Sequence, residues 1–495
     1  MTNNEVMSKY NKYLNKIQEI GFVEKSIHPI CYVKGLPSAT TDEVVYFEND
    51  DMGQVLSISN DYVEVLVFSK FSPRVGSKVV RTAENLYATV SFKLLGATID
   101  ALGNSIYSTK PVIHEKPSFI DLFASAPGIN YRSEIKTPFI TGVSVVDMMI
   151  PLGKGQRELV IGDRNTGKTN FVLQSILTQA SQGTICVYTS IGKKKADIIA
   201  LDKFFEHAGV KDKIVHVSSS SSSSLGMIYL TPYYAMSIAE YFRDNEKEVL
   251  IIFDDLTTHA KFYREMSLIA RRFPGRSSYP SDIFYSHASL LERAGNFIIK
   301  KSKDKEVSIT CLPIAETVEG DISGYIQTNL MSITDGHIFF DKEMFSQGQR
   351  PAVNYFLSVT RVGRQTQSVI RWGINRELNS FLGLYEKTKR FVHFGAELNE
   401  GIKSTLNMGS RILCFFNQGM SEVLDNNLQM FLFCMIWVGT WNTVSNEEMM
   451  KALDVLKYRY ENDNSYKQKV LELISSSSDF NNMLGKISMS NKDFL

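Results

Sequence analysis

Apolar residues change their spacing along this chain, and each change marks a different kind of element. Near the start, Met7, Tyr10, Leu14 and Ile17 recur at helical intervals and predict a short amphipathic helix over residues 6–19. From about 21 to 88, runs such as Val44-Val45-Tyr46-Phe47, Val55-Leu56-Ser57-Ile58 and Val63-Glu64-Val65-Leu66-Val67-Phe68 are separated by Asn, Asp, Gly, Ser and Pro. Short strands with that punctuation predict a small β-barrel or sandwich. In the long middle section Glu158-Leu159-Val160-Ile161, Ile185-Cys186-Val187-Tyr188, Val249-Leu250-Ile251-Ile252-Phe253 and Val307-Ser308-Ile309-Thr310 alternate with helical patterns. That alternation predicts a parallel α/β sheet. After about 368 the strand signals fade and helical spacing dominates. The apolar run 430–441 is shorter than the roughly 20 residues a membrane span needs, so a buried helix is expected there. Positions 218–224 are unbroken serine. Composition alone would make them a flexible linker. Their place between Ile214-Val215-His216-Val217 and the patterned segment 225–239 argues for the end of a strand inside the domain.

Composition narrows the function classes. The 495 residues are 43% hydrophobic and 22% charged, as in ordinary globular chains, and leave apolar material for about three domains. Lys plus Arg is 54 and Asp plus Glu is 53, so there is no bulk charge to attract nucleic acid. A membrane is expected to be met only through partners. The cysteines are odd in number, Cys31, Cys186, Cys311, Cys414 and Cys434, without a C-x-x-C pair, which fits reduced, buried thiols in a cytosol-like compartment. The histidines show no metal-binding spacing, and the first residues lack a secretion or transit pattern. Frequent Asn, Lys, Ile, Tyr and Phe with scarce Pro suit an AT-rich genome. The run 300–305, Lys300-Lys301-Ser302-Lys303-Asp304-Lys305, reads as a solvated hairpin-like loop.

The chemistry-bearing motif is Gly162-Asp163-Arg164-Asn165-Thr166-Gly167-Lys168-Thr169, which matches G-x-x-x-x-G-K-[ST] between a strand-like run and a helical pattern. Glycines let successive backbone N–H groups face phosphate oxygens, and the following helix adds its positive end. Lys168 supplies a point charge to the outer phosphates, and Thr169 offers a hydroxyl to magnesium. Asp254 ends the buried run Val249-Leu250-Ile251-Ile252-Phe253, where a carboxylate faces the ligand crevice of a parallel sheet, and is expected to organise the same Mg2+ through water. Asp255 would point the other way. Hydrolysis also needs a group to ready the attacking water. The run Ile185-Cys186-Val187-Tyr188 continues into Thr189-Ser190-Ile191-Gly192-Lys193-Lys194-Lys195 without a carboxylate before Asp197. Such a site is expected to bind ATP and hold it.

Gly155-Gln156-Arg157-Glu158-Leu159, running into Gly162-Asp163-Arg164, resembles the alpha subunit of F-type ATP synthase. The resemblance continues through Asp254-Asp255-Leu256, Tyr263-Arg264-Glu265-Met266, Pro274-Gly275-Arg276, Tyr279-Pro280-Ser281-Asp282, Leu290-Leu291-Glu292-Arg293, Ser332-Ile333-Thr334-Asp335-Gly336 and Ser358-Val359-Thr360-Arg361-Val362-Gly363. It covers roughly 21–440 and favours alpha over beta at Ile191-Gly192-Lys193-Lys194, where beta carries the catalytic Glu. It implies an α/β core of the RecA-like P-loop NTPase type, with an N-terminal small β-barrel and a C-terminal all-α domain. The expected division is an extension at 1–20, a barrel crown at 21–88, the nucleotide domain at 89–368 and helices at 369–495.

The resemblance further implies a hexamer of three alpha and three beta subunits around a gamma-type shaft, with stator or motor-specific subunits, on the cytoplasmic face of a membrane. This chain would hold ATP or ADP with Mg2+ and lend Arg361 as an arginine finger to the neighbouring beta-type site, with Ser358 positioning it. Arg350, Pro351 and Gln418 fall on positions lining the nucleotide pocket. Departures are Asn165 and Lys193 in place of Gln, Met420 in place of a second Gln, and His28-Pro29-Ile30-Cys31 in a usually Gly-rich turn. Lys193 is expected to add positive charge near the phosphates, and Met420 to relax base selectivity. The departures also motivate a variant: an alpha-like subunit of a repurposed rotary motor, as in the gliding machinery of some wall-less bacteria. A different class, a self-sufficient Rho-like or export ATPase, needs its catalytic Glu on the same chain as the P-loop.

Overall fold

The computed structural model describes residues 8–107, 112–113, 117–299, 305–393 and 399–494. Except for Lys305, the lysine-rich run 300–305 lies outside the described residues, as do Met7 and its neighbours at the start. The chain divides into two compact units: 1–133, 183–315 and 323–333 form the first, and 134–182, 316–322 and 334–495 the second.

In the first unit, a helix at Lys9–Ile17 is capped by Ser8, whose side chain accepts from the Asn11 N–H. A closed antiparallel barrel follows. Its strands run in the order Ile20–Ile27, Ile30–Lys34, Val63–Val67, Met52–Ile58, Glu43–Phe47 and Lys78–Asn85. Val23, Cys31, Val33, Val45, Phe47, Val55, Val65 and Val79 fill the interior. Alternation along the strands sends these mostly β-branched side chains to one face, and closure removes the exposed edges. The same unit contains parallel strands in the order Thr98–Ile99, Ile214–Ser220, Ile185–Lys193, Val249–Asp254 and Lys305–Glu316. Val249–Asp254 is buried at every position, which explains its unbroken apolar run. The serine run is absorbed into this layer. Its first residues finish the strand Ile214–Ser220, and Ser224 caps the helix Leu225–Asp244 while donating to the Phe68 carbonyl at 2.7 Å.

In the second unit, the strand Glu158–Gly162 pairs in parallel with Gly336–Phe340, and Val359–Thr360 pairs antiparallel with the latter. Helices Val369–His393, Glu400–Phe415, Asn426–Trp437, Asn446–Asn462, Asn464–Ser475 and Phe480–Phe494 complete it. Polar contacts tie the P-loop strand's surroundings to these helices: Asn375 donates to the carbonyls of Met148 and Met149 at 2.7 and 3.0 Å. The P-loop segment and the helical region belong to the same unit. The helix Asn426–Trp437 buries every residue from Leu428 to Ile436. No helix among the described residues is long and apolar enough to cross a membrane.

Candidate nucleotide site

The strand Glu158–Gly162 delivers the chain into the glycine-rich loop, and the helix Lys168–Ser181 leaves it. At Gly162 a Cβ would come within 2.4 Å of the Phe340 carbonyl oxygen, so the close approach of the two strands requires glycine. Gly167 sits at the helix N-cap with φ of 95°, a left-handed conformation that aims the following N–H groups into the loop. The Lys168 ammonium is buried and donates to the carbonyls of Gly162, at 2.7 Å, and Asp163. It therefore lies inside the cradle its own loop forms. Thr166 donates to the Asp163 carbonyl at 2.7 Å. The Asp163 carboxylate accepts from the Thr317 hydroxyl and the Gly320 N–H. Both side chains thus brace the loop, and their backbones are what they offer a phosphate. Arg164 and Asn165 are exposed, and Arg164 pairs with Glu316 at 2.8 Å. Thr169 is half-buried at the start of the helix.

In the first unit, Asp254 ends its strand as expected, but its carboxylate is already engaged. Tyr188 donates to Oδ2 at 2.7 Å and the Lys193 ammonium to Oδ1 at 2.7 Å. Burial and the Asp254 charge push the Tyr188 phenol well above its usual range, so it stays a donor. Lys193 also lies 3.7 Å from the Asp255 carboxylate. Asp255 is the N-cap of the helix Leu256–Ile269, accepting from the Thr258 N–H. The ammonium of Lys193 thus sits on two carboxylates of its own unit. The residues implied for magnesium fit unequally. The Thr169 hydroxyl suits a phosphate-bound metal. Asp254 as it stands does not, because a full cation already occupies one of its oxygens.

Arg361 belongs to the second unit, at the end of the strand Val359–Thr360. Its N–H donates to the Asp335 carbonyl at 3.0 Å. Asp335 is held in turn by Arg157 through a two-pronged pair, 3.0 Å from Nε and 2.7 Å from Nη2. The backbone under Arg361 is braced and its side chain is exposed. Ser358 donates to the Asn354 carbonyl at 2.7 Å and accepts from the Phe339 N–H at 2.9 Å. Its hydroxyl pins the segment leading to Arg361.

The adenine-side residues come out differently from the sequence expectation. Gln418 is buried: its oxygen accepts from the Ser144 N–H at 2.6 Å, and its nitrogen donates to the Gly142 carbonyl at 3.0 Å. The amide, which the resemblance sets in the lining of the nucleotide pocket, joins two backbone segments. Arg350 stacks on the Phe345 ring at 3.5 Å and donates to the Phe345 and Gln349 carbonyls, while Pro351 is buried. Met420 is exposed.

Sequence reasoning did not single out Tyr188, the Arg157–Asp335 brace or Glu316. Arg157 and Asp335 lay inside the quoted motifs, and their opposite charges were the available signal. One arrangement imitates a nucleophilic triad: Ser190 Oγ lies 2.9 Å from His216 Nε2, and Asp202 Oδ1 lies 4.0 Å from Nδ1. All three are buried, and burial pushes His216 down to about 4, so it is a core polar cluster rather than a base at neutral pH.

A family model described as the ATP synthase alpha/beta family, nucleotide-binding domain, matches residues 142–360. The chain is 39% identical over 414 residues to ATP synthase subunit alpha of Rickettsia bellii, covering 82% of this chain and 80% of that one. It is 40% identical over 424 residues to ATP synthase subunit alpha of Neorickettsia sennetsu, covering 84% and 82%.

Proposed function

Since the chain belongs to the F-type ATP synthase alpha-subunit family, we propose that it is a nucleotide-holding, non-catalytic subunit that lends Arg361 to the active site of a beta-type neighbour. Gly162, Asp163, Arg164, Asn165, Thr166, Gly167, Lys168 and Thr169 take the phosphates of ATP or ADP, mostly through backbone N–H groups and the Lys168 ammonium. The Thr169 hydroxyl serves a magnesium carried on those phosphates. The partners are beta-type chains in a three-plus-three ring and a gamma-type shaft, and the ring meets the cytoplasmic face of a membrane through further subunits. The chain acts in ATP synthesis or hydrolysis as part of that complex.

One observation carries the non-catalytic reading. Where the beta paralogue has its catalytic Glu, this chain has Lys193, and that ammonium sits 2.7 Å from Asp254. A protonated amine bound to a carboxylate cannot take a proton from water. The exposed Arg361 on a braced strand end supports the second half: a guanidinium fork on a rigid base suits charge stabilisation on a phosphoryl group outside this chain.

The test is Arg361→Ala in the ring reassembled with its beta-type partner. Turnover is expected to fall about a thousandfold or more, the usual worth of such a finger, while nucleotide bound to this chain stays in place. Normal turnover with an emptied pocket would contradict the assignment.

A further inference from the structure

The serine run forms one wall of a cavity of about 450 Å³ inside the first unit. Lys70 and the first turn of the helix Lys195–His207 belong to the same wall. Side chains alternate along the strand Ile214–Ser220, so Ser218 and Ser220 share the face that lines the cavity. Ser219 turns to the other face and accepts from the Gly192 N–H. Ser218 is 1% exposed, and its hydroxyl has no hydrogen-bond partner among the described residues. A buried hydroxyl in that condition costs free energy, and its place in the wall leaves the missing partner to whatever fills the cavity.

Further donors meet at the same wall. The hydroxyls of Ser220, Ser222 and Ser223 are joined by two bonds, at 3.0 and 3.1 Å. Each bond takes one hydroxyl proton, so the third proton remains for an acceptor. No side chain caps the helix Lys195–His207, and its first N–H groups and positive end are left to a ligand. Lys70 and Lys195 are exposed and add positive charge. Asp100, the one carboxylate among the described wall residues, is held by its own turn. It accepts from the N–H groups of Leu102 and Asn104, both at 2.9 Å, and from the Asn104 amide at 3.2 Å. Ile198, Ile199 and Met227 give the cavity an apolar side.

Donors from a strand end, a helix start and two lysines suit the three terminal oxygens of a phosphoryl group better than the two of a carboxylate. We propose that this cavity binds a small organic phosphate, with its phosphoryl group on Ser218 and the helix start and its organic body on Ile198, Ile199 and Met227. The site shares no residue with the loop 162–169 and stands independently of the nucleotide-holding reading.

The probe is phenyl phosphate, added in steps to the purified full chain and followed by amide hydrogen exchange, which locates binding as well as measuring it. Exchange is expected to slow in segments 195–199 and 218–224, with a dissociation constant below about 1 mM. Ser218→Ala and Lys195→Gln are each expected to weaken that protection about tenfold or more. Without phenyl phosphate, Ser218→Ala should leave the urea midpoint unchanged or raised, because it removes an unsatisfied group. A lowered midpoint would show that the hydroxyl serves the fold and would overturn its assignment to a ligand. Inorganic phosphate is expected to bind about tenfold or more weakly than phenyl phosphate, for want of an apolar body. Equal binding of the two would overturn the organic half of the proposal. Protection confined to 162–169, no protection at about 10 mM phenyl phosphate, or full affinity in Lys195→Gln would overturn it entirely.

Discussion

The loop after the strand Glu158–Gly162 and the end of the strand Ile185–Lys193 both manage negative charge, with different groups. In the second unit, side chains such as Thr166 and Asp163 bond to their own loop and its neighbours, and the Lys168 ammonium lies inside the loop on the Gly162 and Asp163 carbonyls. In the first unit, a side-chain cation is fixed to carboxylates that this chain itself provides. The first arrangement grips any polyphosphate of suitable length. The second removes a candidate base and a candidate metal position together. The proposed function assigns holding to the first arrangement and the lack of water activation to the second.

Substitutions should therefore have different signatures at the two places. Lys168→Ala removes the cradle's own cation and is expected to weaken ATP binding by about a hundredfold, or roughly 2.7 kcal/mol, with little change in unfolding free energy. Isothermal titration and urea unfolding of the same sample would separate the two. Asp254→Asn should do the reverse. It keeps a partner for Tyr188 but breaks the charge-assisted contact to Lys193, at a cost of about 2 kcal/mol of stability. An unchanged urea midpoint would mean that the pair contributes nothing to the fold.

A smaller difference should appear with pH. His216, His259 and His287 are buried in the first unit, and burial lowers all three, to about 4 for His216 and His259. Their unfolded forms take up protons below about 6.5, so the stability they allow is lost as pH falls from there toward the folded values. Glu158 and Asp147, in the second unit, are shifted upward, chiefly by burial. Their contribution is full at low pH and declines as pH rises through the folded values. Going from pH 7 to pH 6 should weaken the first unit by about 0.5–1 kcal/mol per histidine, whereas in the second unit the loss at His337, which burial also lowers, is opposed by the gain at Glu158 and Asp147. Amide hydrogen exchange, corrected for intrinsic rates, would read this unit by unit.

The same two places show what could be read from the sequence. The P-loop was legible because its whole mechanism lies within eight successive positions, 162–169, and local spacing alone specifies the turn and the helix start. The barrel was legible for a similar reason: alternation and turn residues specify strands one at a time. Lys193 could be seen to stand at a telling position, but not to be bound to Asp254, because its partner is 61 residues away and charge sign alone does not choose among distant carboxylates. Gln418 was harder still. Its partners are backbone groups of Gly142 and Ser144, and a backbone group leaves no mark in the residue code. The serine run was ambiguous by composition and was settled by its neighbours, since a strand before it and a helix after it leave serine the role of a cap.

The most direct test of the account follows the fate of one nucleotide. The purified full chain is loaded with ATP labelled at the terminal phosphate, with magnesium present, and the label is followed over several hours. The account predicts that the chain keeps close to one nucleotide per molecule, still as ATP, with phosphate release no faster than in buffer. Steady phosphate release by the lone chain would show that it has its own means of readying water, and the division between holding and hydrolysing would be wrong.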